Sequence, residues 1–172
     1  MILQGKKVSL RPMTVEEIPV FYRWATQSEA TPFWYGELQG DKVPTYEEFL
    51  RDWKKYYFDG SEPEKGRSFV ILVNSRAIGQ INYNDINRED NSVELDIIIA
   101  EDKDKNKGYG SDALQTLSAY LFKETNIRKC WIEVITKNPR AIRAYEKAGF
   151  RKTKVFVDTG IECIRMELQN QE

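Results

Sequence analysis

Lys105-Asn106-Lys107-Gly108-Tyr109-Gly110-Ser111 is the stretch around which the rest of this 172-residue chain is organised. It follows an apolar run at residues 95–100 and precedes an amphipathic segment at residues 112–123, which predicts a loop between a strand and a helix. Its glycines allow a sharp turn and a close approach of the backbone to a ligand, and the helix start presents unpaired N–H groups. The stretch therefore predicts an anion site, such as a phosphate site, although it is neither a P-loop nor a full dinucleotide fingerprint.

The composition is that of an ordinary globular chain and excludes several classes of function. Hydrophobic residues make up 41% and the net charge is −1, which argues against disorder and against nucleic acid or an anionic membrane as a partner. We find no apolar run long enough to span a bilayer and no signal-peptide pattern, so a cytoplasmic location is predicted. Histidine is absent, which removes Ser-His and Cys-His catalysis and most zinc sites, and no metal is expected. Cys130 and Cys163 lie in apolar stretches and are predicted to be buried free thiols.

The order of the predicted elements indicates an α/β (α+β) fold with one central mixed, mostly antiparallel sheet and helices on both faces. Capping boxes at Thr14-Val15-Glu16-Glu17 and Thr45-Tyr46-Glu47-Glu48 open two early helices, the second of which we expect to run to Asp59. Strands are expected at residues 6–11, 69–73, 77–84, 93–100, 129–135, 150–157 and 161–168, and later helices at residues 112–123 and 139–148. No linker divides the chain, so residues 1–172 are expected to form a single domain, whether monomer or homodimer.

Two motifs at the expected distance from each other carry a family resemblance. In the first, Lys105 precedes two spacers and Gly108-Tyr109-Gly110, where the family pattern has Gln or Arg before the spacers. The second is Asn138-Pro139-Arg140-Ala141-Ile142-Arg143-Ala144-Tyr145-Glu146-Lys147-Ala148-Gly149-Phe150. Together they resemble the Gcn5-related N-acetyltransferase (GNAT) family over residues 10–168. The resemblance implies a GNAT-like sheet and acetyl transfer from acetyl-coenzyme A (acetyl-CoA) to a primary amine.

A narrower resemblance concerns the acceptor. The segments Leu10-Arg11-Pro12-Met13-Thr14, Tyr22-Arg23-Trp24, Phe33-Trp34-Tyr35-Gly36-Glu37 and Pro44-Thr45 are similar to the N-terminal region of aminoglycoside 6′-N-acetyltransferases. Those enzymes carry an Asp in the strand before the loop, where this chain has Asp96. Enzymes that act on other amines share parts of this pattern, so acetylation of a protein N-terminus or of a polyamine stays open. A non-catalytic domain that binds acetyl-CoA is a third possibility, against which Tyr145 and Asp96 argue.

Cofactor contacts are expected from three segments. The backbone of the glycine loop and the following helix start should hold the pyrophosphate, and the strand before the loop should pair with the pantetheine amides if it splays from residues 131–135, as the resemblance implies. The start of the second motif helix offers an amide and a small-residue face. The predicted set is Ile98, Ile99, Ala100, Lys105, Asn106, Lys107, Gly108, Tyr109, Gly110, Ser111, Asn138, Ala141, Ala144 and Lys147.

Two residues are the predicted catalytic groups. Tyr145 is expected to protonate the leaving thiolate, with a core tyrosine as the alternative. The attacking amine must lose a proton, and Asp96 is the candidate base, directly or through water. Glu94 lies on the same strand face and offers two functional alternatives: it acts as the base in place of Asp96, or its charge raises the pKa of Asp96. A third alternative is that both carboxylates only line a solvated surface of the sheet.

The acceptor pocket is expected to combine aromatic and acidic side chains, which suit a small cationic amine. The alternative is that Trp34 and Tyr35 only fill the gap between the two early helices. The predicted set is Trp34, Tyr35, Glu37, Asn82, Tyr83, Glu94 and Asp158.

Overall fold

One eight-stranded sheet runs through the chain in the computed structural model, which describes residues 1–171. The strands are β1 (Leu3–Gln4), β2 (Ser9–Pro12), β3 (Arg67–Val73), β4 (Arg76–Asn87), β5 (Ser92–Ile99), β6 (Lys129–Ile135), β7 (Arg151–Asp158) and β8 (Ile161–Gln169). Their order across the sheet is β1-β2-β3-β4-β5-β6-β8-β7. Among the strands of residues 1–171, only β5 and β6 are parallel, and every other pair is antiparallel. The predicted mixed, mostly antiparallel sheet is confirmed.

Two hydrophobic clusters place helices on both faces of this sheet. The helices are α1 (Ile18–Thr26), α2 (Tyr46–Asp52), α3 (Tyr56–Asp59), α4 (Tyr109–Glu124) and α5 (Pro139–Lys147). Because successive strand residues point to opposite faces, Phe69 packs with α4 and α5, whereas Val70 packs with α1, α2 and α3. Among residues 1–171, no helix is both long and apolar enough to cross a membrane.

The second early helix is shorter than the sequence predicts. It begins as expected, since Thr45 and Glu48 exchange side-chain-to-backbone hydrogen bonds of 3.0 and 3.2 Å. It stops at Trp53, whose φ of −99° and ψ of 84° leave the helical region, and α3 starts separately at Tyr56. The Trp53 ring lies 4.6 Å from the Phe21 ring, centroid to centroid. The break in the helix thus lies where Trp53 packs against Phe21. Helical periodicity alone does not predict such a break.

Two strands also differ from expectation, and each has a local reason. The first was expected to start at residue 6 but starts at Ser9, because the Asp112 carboxylate of α4 accepts the main-chain N–H groups of Lys6, Lys7 and Val8. Strand β4 continues through the expected loop to Asn87, with an irregular step at residues 84–87.

The sheet opens between β5 and β6. The parallel pairing runs from Ser92↔Lys129 to Glu94↔Trp131 and then stops, although the two strands continue to Ile99 and Ile135. The open ends face the loop between β5 and α4 and the start of α5. This splay creates the cleft described next.

Candidate functional site

A cleft of about 990 Å³ occupies the opening between β5 and β6. Its walls come from six parts of the chain: the aromatic segment after α1, the end of β5, the glycine loop, the end of β6, α5, and the β7–β8 hairpin, with Trp53 beside them. Asp96 and Tyr145, the two predicted catalytic residues, both line it.

The edge of β5 presents main-chain groups to the cleft. Ala100 donates its N–H to the Ile78 oxygen of β4 at 3.0 Å, and backbone groups alternate in direction along a strand. Ile98 and Ala100 therefore direct theirs toward β4, whereas Ile97 and Ile99 direct theirs toward the cleft. The Ile97 oxygen already accepts a 3.1 Å hydrogen bond from the Trp34 indole. Of the predicted residues 98–100, Ile98 and Ile99 line the cleft and Ala100 does not.

The glycine loop is anchored by an ion pair just before it and is open to the cleft at Gly110. A short 3-10 turn at Asp102–Asp104 precedes it, and the buried Asp104 carboxylate pairs with both guanidinium nitrogens of Arg76 at 2.8 and 3.0 Å. Gly108 has a φ of 83° and forms the N-cap of α4, which starts three residues earlier than the sequence predicts. A Cβ at Gly110 would meet no atom closer than the Ile97 side chain at 3.9 Å. That open space lies where helix N–H groups face the cleft.

The predicted lysines differ in position. Lys105 lines the cleft, but its ammonium pairs with Asp102 at 3.0 Å, and Arg140 reaches the same carboxylate at 3.3 Å. Lys107 lies outside the cleft lining, and its main-chain oxygen accepts a hydrogen bond from Lys7. Lys147 lines the far wall. An anion in the cleft would therefore compete with Asp102 for Lys105 and Arg140.

Helix α5 brings its small-residue face to the cleft. Asn138 accepts the Ala141 N–H at 3.2 Å through its side-chain oxygen, which caps the helix, and Asn138 also lines the cleft. Ala141 and Ala144 line the wall, and Ser111 donates to the Ala144 oxygen at 2.7 Å, which ties α4 to α5. Asn106, Gly108, Tyr109, Gly110 and Ser111 also lie in the lining.

Tyr145 and Asp96 both line the cleft and are close enough for the charge of Asp96 to act on the phenol. Burial raises the pKa of Tyr145, and the charge of Asp96 raises it further, so the phenol holds its proton more firmly than an ordinary tyrosine does. Burial also raises the pKa of Asp96, against the opposing effect of hydrogen bonds from Asn82 and Asn84. Both amides donate to the same oxygen, Oδ2, at 3.2 and 3.3 Å. Asp96 is thus oriented by β4 while it contributes to the cleft wall.

Two further carboxylates stand beside Asp96. Burial raises the pKa of Glu94, and the charges of Asp96 and Glu133 raise it further. Glu94 is not part of the cleft lining, whereas Glu133 of β6 is, and it pairs with Arg165 at 2.9 Å. Sequence analysis missed Glu133, although a carboxylate inside an apolar strand is the same signal that identified Asp96.

The structure brings together only part of the predicted acceptor pocket. Trp34, Tyr35 and Asp158 line the cleft, while Glu37 is exposed outside it. Asn82 is fully buried behind Asp96.

Tyr83 does not lie with the rest of the predicted acceptor pocket. Strand alternation turns this side chain to the opposite face of β4, where its hydroxyl donates to the Pro63 oxygen at 2.8 Å. Several cleft residues were not predicted, and among them are Phe33, Gln39, Trp53, Phe156 and Cys163. Cys163 is half-buried, so only Cys130 is the buried thiol that the sequence predicts.

Comparison with known proteins agrees with this geometry. Residues 7–151 match the family described as the acetyltransferase (GNAT) domain. Over 156 residues the chain is 28% identical to the aminoglycoside N(6′)-acetyltransferase type 1 of Klebsiella pneumoniae, covering 84% of this chain and 74% of that protein. It is 24% identical over 147 residues to the spermidine N(1)-acetyltransferase of Vibrio cholerae, with 85% and 80% covered.

Solved structures have the same fold. The aminoglycoside acetyltransferase AAC(6′)-Ib in complex with coenzyme A and kanamycin superposes with a TM-score of 0.77 at 22% identity, over 95% of each chain. The spermidine N-acetyltransferase of Vibrio cholerae in complex with coenzyme A and spermine gives 0.75 at 22% identity, over 96% of each chain. In residues 1–171 we find no group of side chains suited to hold a metal ion.

Proposed function

Because the chain belongs to the acetyltransferase (GNAT) family, its reaction is acetyl transfer from acetyl-CoA to an amine, and we propose that the acceptor is the 6′-amine of an aminoglycoside. The observation that carries this proposal is the position of Asp96 beside Tyr145 in a cleft whose acceptor side combines carboxylates with aromatic rings. We further propose that residues 1–172 act as one domain in this reaction.

The cofactor end of the cleft fits a chain of phosphates and amides. Acetyl-CoA supplies the activated acetyl thioester. The N–H groups around Gly108 and Gly110 at the start of α4 would hold the pyrophosphate, and the open space at Gly110 leaves room for it. Main-chain groups of Ile97 and Ile99 and the Asn138 amide are the partners available for the pantetheine arm. Lys105, Arg140 and Lys147 supply positive charge at this end.

Asp96 and Tyr145 divide the proton transfers between them. Asp96 accepts the proton of the ammonium group, directly or through a water molecule, and so makes the nitrogen nucleophilic. Two of its hydrogen bonds converge on Oδ2, which leaves Oδ1 to face the substrate. Tyr145 carries its proton at neutral pH, as a tyrosine of ordinary pKa would, and its raised pKa keeps it in that form. It donates that proton to the leaving sulfur.

The acceptor end suits a cation with several amines. Trp34 and Tyr35 offer aromatic faces, and Asp96, Glu133 and Asp158 offer carboxylates along one wall. Of these carboxylates, Glu133 is already paired with Arg165 at 2.9 Å. A polyhydroxylated ring with several ammonium groups can use both the charges and the width of this cleft.

A polyamine is the second candidate, because a linear polycation would meet the same carboxylates. The similarity to spermidine N(1)-acetyltransferases of Vibrio cholerae and Escherichia coli, at 24% and 28% identity, supports it. Nothing in the cleft favours the third candidate, a protein N-terminus, over these two.

The test is release of the coenzyme A thiol with a panel of amines. An aminoglycoside with a 6′-amine should give the highest kcat/KM, and the matched aminoglycoside with a 6′-hydroxyl should give none. In a susceptible bacterium, expression of the chain should raise the inhibitory concentration of the first compound only. A higher kcat/KM with spermidine or spermine would replace the proposal by the polyamine candidate.

A further inference from the structure

Strand β7 forms an open edge of the sheet. Within residues 1–171 it pairs only with β8, and most of its residues are exposed. Val155 and Val157 are 62% and 69% exposed, which is unusual for large aliphatic side chains at the middle of a strand. An exposed strand edge of this kind is a template for pairing with another chain.

The hairpin geometry shows which main-chain groups are available at this edge. The turn between β7 and β8 has two residues, Thr159 and Gly160, and Asp158 pairs with Ile161 across it. In such a hairpin the flanking pair exchanges both hydrogen bonds, and the direction of the backbone alternates from there. Val155 and Val157 therefore direct their N–H and C=O groups away from β8.

The side chains of this edge are self-complementary when the strand is reversed. Residues 154–158 read Lys-Val-Phe-Val-Asp, so an antiparallel copy sets the basic end against the acidic end. We propose that β7 pairs with β7 of a second copy about a two-fold axis through Phe156. Val155 then lies opposite the partner's Val157, and Lys154 lies opposite the partner's Asp158.

In this register the main-chain N–H and C=O groups of Val155 and Val157 that point away from β8 are all hydrogen-bonded. Each Val155 and its opposite valine exchange two main-chain hydrogen bonds, so the two-fold axis generates four. Lys154 and Asp158 form an ion pair at each end, and the two Phe156 rings meet on the axis. In a single copy the Lys154 ammonium instead lies 5.4 Å from the centroid of its own Phe156 ring.

The length of the pairing limits its strength. The register of β7 is irregular between Lys152 and Lys154, so regular pairing is confined to residues 154–158. Five residues from each copy give less than the roughly 800 Å² per partner of a standard interface. We therefore expect a dimer that dissociates in the micromolar range or above.

Because Phe156 and Asp158 also line the cleft, the partner's Lys154 would stand at its acceptor wall. The dimer is inferred from the open edge and from the charge pattern of residues 154–158, and it does not depend on the identity of the acceptor.

Charge exchange tests the register. Sedimentation velocity over a wide range of protein concentration should show a reversible monomer–dimer equilibrium for the natural chain. Lys154→Asp and Asp158→Lys each place like charges opposite one another and should shift the chain to monomer. The double variant restores opposite charges and should restore the dimer. A natural chain that stays monomeric at high concentration would overturn the proposal, as would a dimer that is indifferent to these changes.

Two backbone and cross-linking tests control for misfolding. Val157→Pro removes an outward N–H without removing a hydrogen bond to β8 and should abolish the dimer, whereas Val157→Thr keeps the N–H donor and should retain the dimer.

In a Cys163→Ser background, Phe156→Cys should form a disulfide between copies under mild oxidation, since only a residue on the two-fold axis lies opposite the same residue of the partner. Val155→Cys in the same background should not. Cross-linking of Val155→Cys in place of Phe156→Cys would show a different register and refute the proposed one.

Discussion

Asn82 lies directly opposite Asp96 across the β4–β5 pair and donates its side-chain N–H to Asp96 Oδ2 at 3.2 Å. Gln80 in turn donates its side-chain N–H to Asn82 Oδ1 at 2.9 Å, and Gln80 is fully shielded from solvent. Gln80 therefore orients Asn82, and Asn82 orients the Asp96 carboxylate. A charged group held this way in a partly buried position is kept at a cost in stability, which is common at functional sites.

Asp96→Asn should therefore stabilise the fold while it removes activity. The pKa of Asp96 is raised to about 6 in the folded state, so the folded protein binds more protons than the unfolded chain between the ordinary aspartate pKa and about 6. The charge thus costs stability at neutral pH, and the cost disappears as the pH falls below the ordinary aspartate pKa. We expect the free energy of unfolding at neutral pH to rise by about 1 kcal/mol or more, and kcat to fall sharply. Urea unfolding at neutral and acidic pH, together with thiol release, checks both. A variant that loses stability, or keeps kcat, would contradict the assignment.

Tyr145→Phe should lower kcat by about 100-fold or more and leave the affinity for coenzyme A nearly unchanged. The substitution removes only the hydroxyl that is proposed to protonate the leaving sulfur. Tyr83→Phe is the matched control, because it also removes a buried hydroxyl, the one bonded to Pro63. The control should cost about 1 kcal/mol of stability and leave kcat intact. Equal kcat values for the two variants would remove Tyr145 from the mechanism.

Gly108→Ala and Gly110→Ala should separate folding from cofactor binding. Gly108 has a φ of 83°, and its Cβ would lie 2.9 Å from Lys7 Nζ, so alanine should destabilise the fold by about 1–2 kcal/mol. Gly110 has ordinary helical surroundings and open space, so alanine should leave stability unchanged or improve it. If the pyrophosphate lies there, coenzyme A affinity should fall about tenfold in the Gly110 variant, as measured by calorimetric titration. Unaltered affinity would show that the phosphates bind elsewhere.

Glu133→Gln should move the acid limb of the pH–rate profile to lower pH. The negative charge of Glu133 raises the pKa of Asp96, and its removal also leaves Arg165 without its partner. The base would then stay ionised in more acidic solution. Glu167→Gln removes a carboxylate on the same sheet that pairs with Lys129 instead, and it should leave the profile in place. An acid limb that stays fixed in Glu133→Gln would contradict Asp96 as the titrating base.

Much of the fold follows from local patterns in the sequence. The capping boxes at Thr14 and Thr45, the alternation in β5 and the Asn-Pro start of α5 act over a few residues, so they are readable without the rest of the chain. The same is true of the glycine loop, whose function depends on backbone shape. The break at Trp53 and the late start of β2 were not predictable this way, because distant partners, Phe21 and Asp112, lie beside them.

The sequence by itself determined the order of elements, the two motif segments and the types of residue available for proton transfer. Only the tertiary structure decided which of these residues meet. It brings Asp96 and Tyr145 together at the splay that starts after Glu94, adds Glu133 from the facing strand, and turns Tyr83 away. The physical reason is that side chains on a strand alternate between faces, so strand register and the point where pairing stops select the members of the site.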